Sequence, residues 1–307
     1  MMTKLPLSKS VALHLQNNLP KHRNKTEDKE KIMTRIYFND VVTRDGFQIE
    51  PNFIPTDDKV KLIDELSDCG FAKIEVTSFT SPKAIPMLRD AEEVMGRIKR
   101  VPGVEYTVLV PNLRGAERAL ESKADEFNLV MSTSETHNLA NLRMGREKSF
   151  AGLAEVIQYV NGRTPINVSL STCFGCPMEG EVPQSVVEEF AQRFADLGVR
   201  GLTICDTTGM ANPEQVKKMC DALQKQLPKL QLTLHFHNTR GMESDFQFAN
   251  ALWKAWVARS RPKAATTSAF SPESSRSTTT IASTGFRMNS SLRVQPIANT
   301  ASLLNNF

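Results

Sequence analysis

The chain contains no apolar run near the roughly 18 residues that a membrane helix needs, and its first 32 residues hold no apolar secretory core. A soluble protein without a membrane partner is expected. Cysteine is scarce and unpaired in pattern: Cys69, Cys173, Cys176, Cys205 and Cys220 are odd in number and lie mostly inside apolar segments, which argues against a disulfide framework. The pair in CFGCP has the spacing of a zinc or redox site. No second pair exists to complete four ligands, so both thiols are read as structural. A basic stripe is missing too, because 38 Lys and Arg are interspersed among 34 acids. The net charge of +4 and a pI near 8.8 therefore suit an acidic small molecule, and no nucleic-acid partner is expected. Finally, the turn after the first strand, TRDGFQ, has one glycine, which excludes a dinucleotide-binding fingerprint.

What remains is the composition of a large globular core, with 40% hydrophobic and 23% charged residues in 307. Three regions are legible. Residues 1–32 end in a mixed-charge run and read as a disordered N-terminal extension, with Met33 as a candidate start. A mitochondrial presequence is disfavoured by Glu27, Asp28 and Glu30, so a cytoplasmic location is expected, with the mitochondrial matrix as the alternative. Residues 33–242 form the main domain. Residues 243–307, rich in Ser and Thr with a single glycine, read as an aberrant and mostly disordered tail. Phe248, Leu252 and Trp256 recur every four residues there and suggest one helix over 245–258.

Within the main domain, seven β-branched runs alternate with helical segments: RIYFNDV, KIEVTSF, EYTVLVP, EFNLVMS, INVSLST, GLTICDT and LTLHFH. Thr56 reads as a helix N-cap, Val60, Ile63 and Leu66 as one apolar face, and Gly70 as its stop. Val186, Phe190 and Phe194 mark a second helix closing on Gly198, and Asn212-Pro213 opens a third. Strict βα alternation implies parallel strands with right-handed crossovers, in a closed barrel or an open doubly wound sheet. Polar groups at the C-terminal ends of nearly every strand favour the barrel, whose active site lies on that rim. The fold expected is thus an α/β (βα)8 TIM barrel, incomplete for want of an eighth strand. In that case strands one and seven are left as unpaired edges.

The rim residues suggest chemistry. His235 and His237 are two apart on a strand and project to one face, where imidazoles converge on a point. With Asp45 at the tip of the first strand they make two nitrogens and one carboxylate around a divalent metal, leaving positions open. Arg44 beside Asp45 either stabilises an enolate oxygen or simply neutralises its neighbour. Glu75, mid-strand between Ile74 and Val76, must be paired or protonated, and Asp206 is its counterpart on the sixth strand. Either carboxylate supports Arg44, tunes a proton or belongs to a self-satisfied polar layer.

The stretches TRDGFQIEP, KIEVTSFTSPKAIPMLRDAEEV, TVLVPNLRGAERAL, CFGCPMEGEV, CDTTGMANP and LTLHFHNTRGM occur in order. Together they resemble the 3-hydroxy-3-methylglutaryl-CoA lyase family, part of a superfamily of metal-dependent barrels that includes Claisen-type synthases and aldolases. The resemblance implies a TIM barrel with Mg2+ or Mn2+ at its mouth, an acyl-CoA substrate, retro-Claisen cleavage to acetoacetate and acetyl-CoA in leucine degradation and ketone-body formation, and a homodimer. It also implies Asp45, His235 and His237 as metal ligands and Arg44, Glu75, Asp206 and His235 as catalytic groups. The family continues past HNTRGM with an eighth strand and a glycine-rich loop carrying a cysteine, whereas here no cysteine follows Cys220. An aldolase or Claisen-type acyltransferase, or a catalytically dead remnant, is the alternative reading.

Overall fold

The computed structural model describes residues 11–15 and 36–237. After a first strand β1 (Val11–Leu15), seven strands alternate with helices: β2 (Ile36–Asp40), α1 (Thr56–Ser67), β3 (Lys73–Ser78), α2 (Ala91–Arg97), β4 (Glu105–Leu109), α3 (Leu113–Glu121), β5 (Glu126–Ser132), α4 (Glu135–Leu142), α5 (Arg146–Val160), β6 (Ile166–Ser171), α6 (Gln184–Asp196), β7 (Gly201–Asp206), α7 (Pro213–Gln226) and β8 (Gln231–Phe236). Strands β2 to β8 coincide with the seven runs legible in the sequence, and each pairs in parallel with the next.

A gap for one stave separates β8 from β2, and β1 fills it. Its backbone runs antiparallel to both neighbours, with Val11 opposite Asp40 on one side and Phe236 on the other, so the ring is closed. Two expectations change. Part of the stretch read as disordered is a strand, and the edges of β2 and β8 expected to be bare are both hydrogen-bonded. Seven parallel staves remain short of a complete (βα)8 barrel, and an antiparallel segment covers the shortfall because exposed N–H and C=O rows on two facing edges form a ready template. The rest of residues 1–32, residues 238–242 and the tail 243–307 with its expected helix lie outside the described residues.

Strands β3 to β8 are largely buried on both faces, as crossover helices require. Ile74, Val76, Tyr106, Val108, Phe127, Leu129, Val168, Leu170, Leu202, Ile204 and Leu234 join Ile63, Val156, Phe190, Phe194, Val216 and Leu223 of the helices in one apolar cluster. The alternate residues fill the barrel with polar groups. Gly201 permits one close approach there: a Cβ would meet Gln231 O at 2.9 Å and Asn167 Oδ1 at 3.0 Å.

Helix ends follow local chemistry. Asn212 caps α7 through Glu214 N and Gln215 N, Gln215 returns a bond to Asn212 N, and Pro213 takes the first position. Gly198, at φ +79, turns the chain out of α6, and Gly70 has φ +82 beyond α1. Thr56 departs from its expected role. Pro55 occupies the N-cap, Thr56 is the first helical residue, and its hydroxyl donates instead to Asp90 Oδ2 at 2.8 Å.

Candidate active site at the barrel mouth

The chain leaves β2 through a π-helical turn, Val42–Gly46, in which Arg44 N and Asp45 N both donate to Val41 O. Such wide turns occur at functional sites because the extra residue re-aims side chains. Thr43 Oγ1 donates to Glu75 O at 3.1 Å and ties the turn to β3. Adjacent residues thereby serve a single cluster.

Arg44 donates from Nη1 to Asp45 Oδ1 at 2.7 Å, and from Nε and Nη2 to Glu75 Oε2 at 3.0 and 2.8 Å. The other Asp45 oxygen lies 3.6 Å from His235 Nε2 and 3.8 Å from His237 Nε2. The two imidazoles stack with centroids 5.0 Å apart and planes 4° from parallel, as their spacing on one strand predicts.

These distances exceed a hydrogen bond. They match ligands about 2.1 Å from a common ion, which sit roughly 3–4 Å from one another. One ligand atom each from Asp45, His235 and His237 falls within 4.8 Å of the others. His235 Nε2 is buried without a hydrogen-bond partner, an arrangement that costs free energy unless something takes the nitrogen lone pair. The donor set therefore fits a divalent cation.

Electrostatics keep the cluster ready. Burial opposes charge on Asp45, but Arg44 and the two imidazoles outweigh it and hold the carboxyl well below the usual range. Burial, then His235 and Arg44, push His237 down to about 4 against the opposing pull of Asp45, so its ring is neutral at pH 7. Burial opposes the Arg44 charge as well, and Glu75 and Asp45 more than compensate, raising its pKa.

Of the residues singled out in the sequence, five converge: Arg44, Asp45, Glu75, His235 and His237. Buried Asp206 Oδ1 accepts from Met210 N at 2.8 Å and Ala211 N at 3.1 Å, which secures the loop after β7. Buried Cys205 stands opposite His235 in register; burial raises its pKa well above the usual thiol range, while the Arg44 charge pulls the other way and the Asp45 and Glu75 charges add to the rise. Thr172, after β6, has φ +59, a strained conformation for a β-branched residue, and its N–H donates to Thr207 Oγ1 at 2.9 Å. Asn128, not singled out in the sequence, donates from Nδ2 to Glu75 Oε1 at 2.8 Å. Its polar side chain inside EFNLV parallels Glu75 inside KIEVT, a pattern that alternation alone makes visible.

The family model described as HMGL-like matches residues 35–252. The chain belongs to the HMGL-like family. Among its relatives, the hydroxymethylglutaryl-CoA lyase YngG of Bacillus subtilis is 43% identical over 210 residues, which is 67% of this chain and 70% of that protein. The cytoplasmic 3-hydroxy-3-methylglutaryl-CoA lyase of Rattus norvegicus is 36% identical, over 66% of this chain and 59% of its own length. The mitochondrial hydroxymethylglutaryl-CoA lyase of Homo sapiens is 35% identical, over 67% of this chain and 64% of its own length. The HMGL-like chain thus spans about three fifths to seven tenths of these proteins, which are carbon–carbon lyases from more than one compartment.

Solved structures agree. An HMG-CoA lyase from Acinetobacter baumannii, in complex with coenzyme A and 3-methylmalate, superposes with a TM-score of 0.67 at 48% identity, covering 71% of this chain and 70% of that one. The HMG-CoA lyase of Pseudomonas aeruginosa gives 0.65 at 31% identity, over 71% of each chain.

Proposed function

We propose that this HMGL-like chain cleaves 3-hydroxy-3-methylglutaryl-CoA into acetoacetate and acetyl-CoA. The observation that carries this reading is the convergence of a two-histidine, one-carboxylate set with a fixed guanidinium at the mouth of the barrel. Asp45, His235 and His237 would hold Mg2+ or Mn2+. Such an ion polarises substrate oxygens and lowers the cost of removing a hydroxyl proton.

The remaining work falls to the protein. Loss of the hydroxyl proton lets that oxygen's electron pair form the ketone of acetoacetate while the adjacent carbon–carbon bond breaks. The bonding pair moves into the acetyl-CoA fragment as an enolate, which then takes up a proton at carbon. Arg44 stabilises the developing negative charge on the thioester oxygen, since its guanidinium cannot neutralise itself by losing a proton. Glu75 binds one edge of the guanidinium and Asp45 another, so the donor presented to substrate is held before the reaction begins. His237 stays neutral and His235 keeps an unpartnered nitrogen, the states a metal ligand requires.

Purified protein incubated with Mn2+ and 3-hydroxy-3-methylglutaryl-CoA is expected to form acetoacetate and acetyl-CoA in equal amounts. Arg44→Lys should lower kcat by about 100- to 1,000-fold, the usual effect of removing a charge-stabilising donor. Folded, Mn2+-binding protein that forms no acetoacetate above the protein-free control overturns the proposal.

A further inference from the structure

Arg44 reaches the developing charge only if its planar fork is held at one angle. Glu75 supplies that constraint through Oε2 alone, which accepts both Nε–H and Nη2–H. One oxygen fixes a distance. A carboxylate pivoting about its terminal bond can still rotate beneath the guanidinium unless its second oxygen is also held.

Asn128 holds it. From β5 its Nδ2 donates to Glu75 Oε1 at 2.8 Å, while its own Oδ1 accepts from Asn167 Nδ2 at 2.9 Å and Ser169 Oγ at 2.8 Å on β6. The end of the amide facing Glu75 is the NH2, because a flipped group would set the amide oxygen against the carboxylate oxygen Oε1, which only accepts. Asn167 Nδ2 also reaches Thr203 Oγ1 at 2.8 Å on β7. Glu75, Asn167, Ser169 and Thr203 are all buried, so the chain of bonds crosses the barrel interior beneath the mouth.

We propose that Asn128 is a positioning residue for Arg44: it fixes the plane of the Glu75 carboxylate and, through it, the orientation of the guanidinium toward substrate. The proposal rests on the assignment of Arg44 as enolate stabiliser. A neutral donor suits the place. A cation there would compete with Arg44 for Glu75, and a carboxylate would repel it unless protonated.

The direct test uses the full chain with 15N-labelled arginine and needs no turnover. The Arg44 Nε–H resonance is identified by its loss in Arg44→Lys, and its solvent exchange is compared in wild type and Asn128→Leu. Exchange about tenfold faster is expected, the scale of one lost buried hydrogen bond. An unchanged resonance and exchange rate in folded Asn128→Leu overturns the proposal.

Turnover supplies the second arm. Asn128→Leu should lower kcat by about tenfold while KM for 3-hydroxy-3-methylglutaryl-CoA stays within about twofold, since the substrate is still bound but its transition state is less well met. A raised KM with unaltered kcat counts against positioning. Asn128→Asp keeps the shape and guards against a folding defect in the leucine variant. While protonated, its carboxyl can still donate to Glu75. Its kcat should therefore approach wild type at acid pH and fall as the proton leaves, a descending limb absent from the parent. A uniform loss at every pH counts against the proposal. If the parent itself proves inactive, the assigned reaction fails, and the arginine resonance still decides whether Asn128 orients Arg44.

Discussion

The two ends of the barrel use the same kinds of charged group to opposite effect. At the floor, Lys73 Nζ lies 2.7 Å from Glu126 and 3.3 Å from Glu105, and Arg200 bonds both carboxylates. Two cations meet two anions, and each charged group has an opposite partner. At the mouth, one guanidinium faces two carboxylates, and beside them stand two imidazoles, one with a buried nitrogen that lacks a hydrogen-bond partner. The first cluster closes on itself. The second is a cation short, and the shortage is what makes it a binding site, because balanced charges gain little from a further ion.

The sharpest way to test that contrast is to break the floor. Glu126→Gln leaves Lys73 and Arg200 under-neutralised and should cost about 3–5 kcal/mol of stability, measured by urea unfolding. Mn2+ affinity of the protein that remains folded should not change. A comparable loss of metal binding would mean that the two ends are not independent.

Breaking the mouth should do the reverse. His237→Ala is expected to weaken Mn2+ binding at least about 100-fold by calorimetry, since one of only three protein ligands is removed. The metal-free melting temperature should fall little, or even rise, because a depressed histidine pKa opposes folding under acid conditions. In metal-free wild type this opposition grows as pH drops from the ordinary histidine value of 6.5 toward about 4, where the unfolded chain binds a proton that the folded ring refuses.

The smallest effect tests a residue between these regions. Burial raises Asp40 to about 6, against a lowering hydrogen bond from Val42 N. The folded chain therefore holds a proton more tightly than the unfolded one, and stability declines as pH climbs from about 4 to 6. Asp40→Asn keeps an oxygen for Val42 N and should stabilise the protein by about 1–2 kcal/mol at pH 8, with little gain at pH 4. Unfolding midpoints at the two pH values measure the difference.

Much of this plan is legible in the letters. Seven strands announce themselves because burial on both faces demands continuous apolar or β-branched runs, and Gly198 and Asn212-Pro213 mark helix ends through backbone rules that act locally. Arg44 and Asp45 stand out because charges at a strand tip need a reason. Other features depend on partners distant in sequence. Pro55 displaced Thr56 from the cap, and the threonine hydroxyl found Asp90 across 34 residues. Asn128 gains its meaning from Glu75, and VALHL becomes a strand because two remote edges need one; its own propensity is secondary.

That last segment orders the life of the protein in time. Residues 11–15 leave the ribosome before any other described strand, yet one of their two hydrogen-bonding edges, β8, is the last described strand to be made. Closure must join nearly opposite ends of the described chain after the intervening staves are in place, and such distant pairings form slowly. The first described strand to be made can pair early with β2, but its other edge waits for β8. Until that edge is joined, β8, which carries His235 and leads into His237, has an open flank.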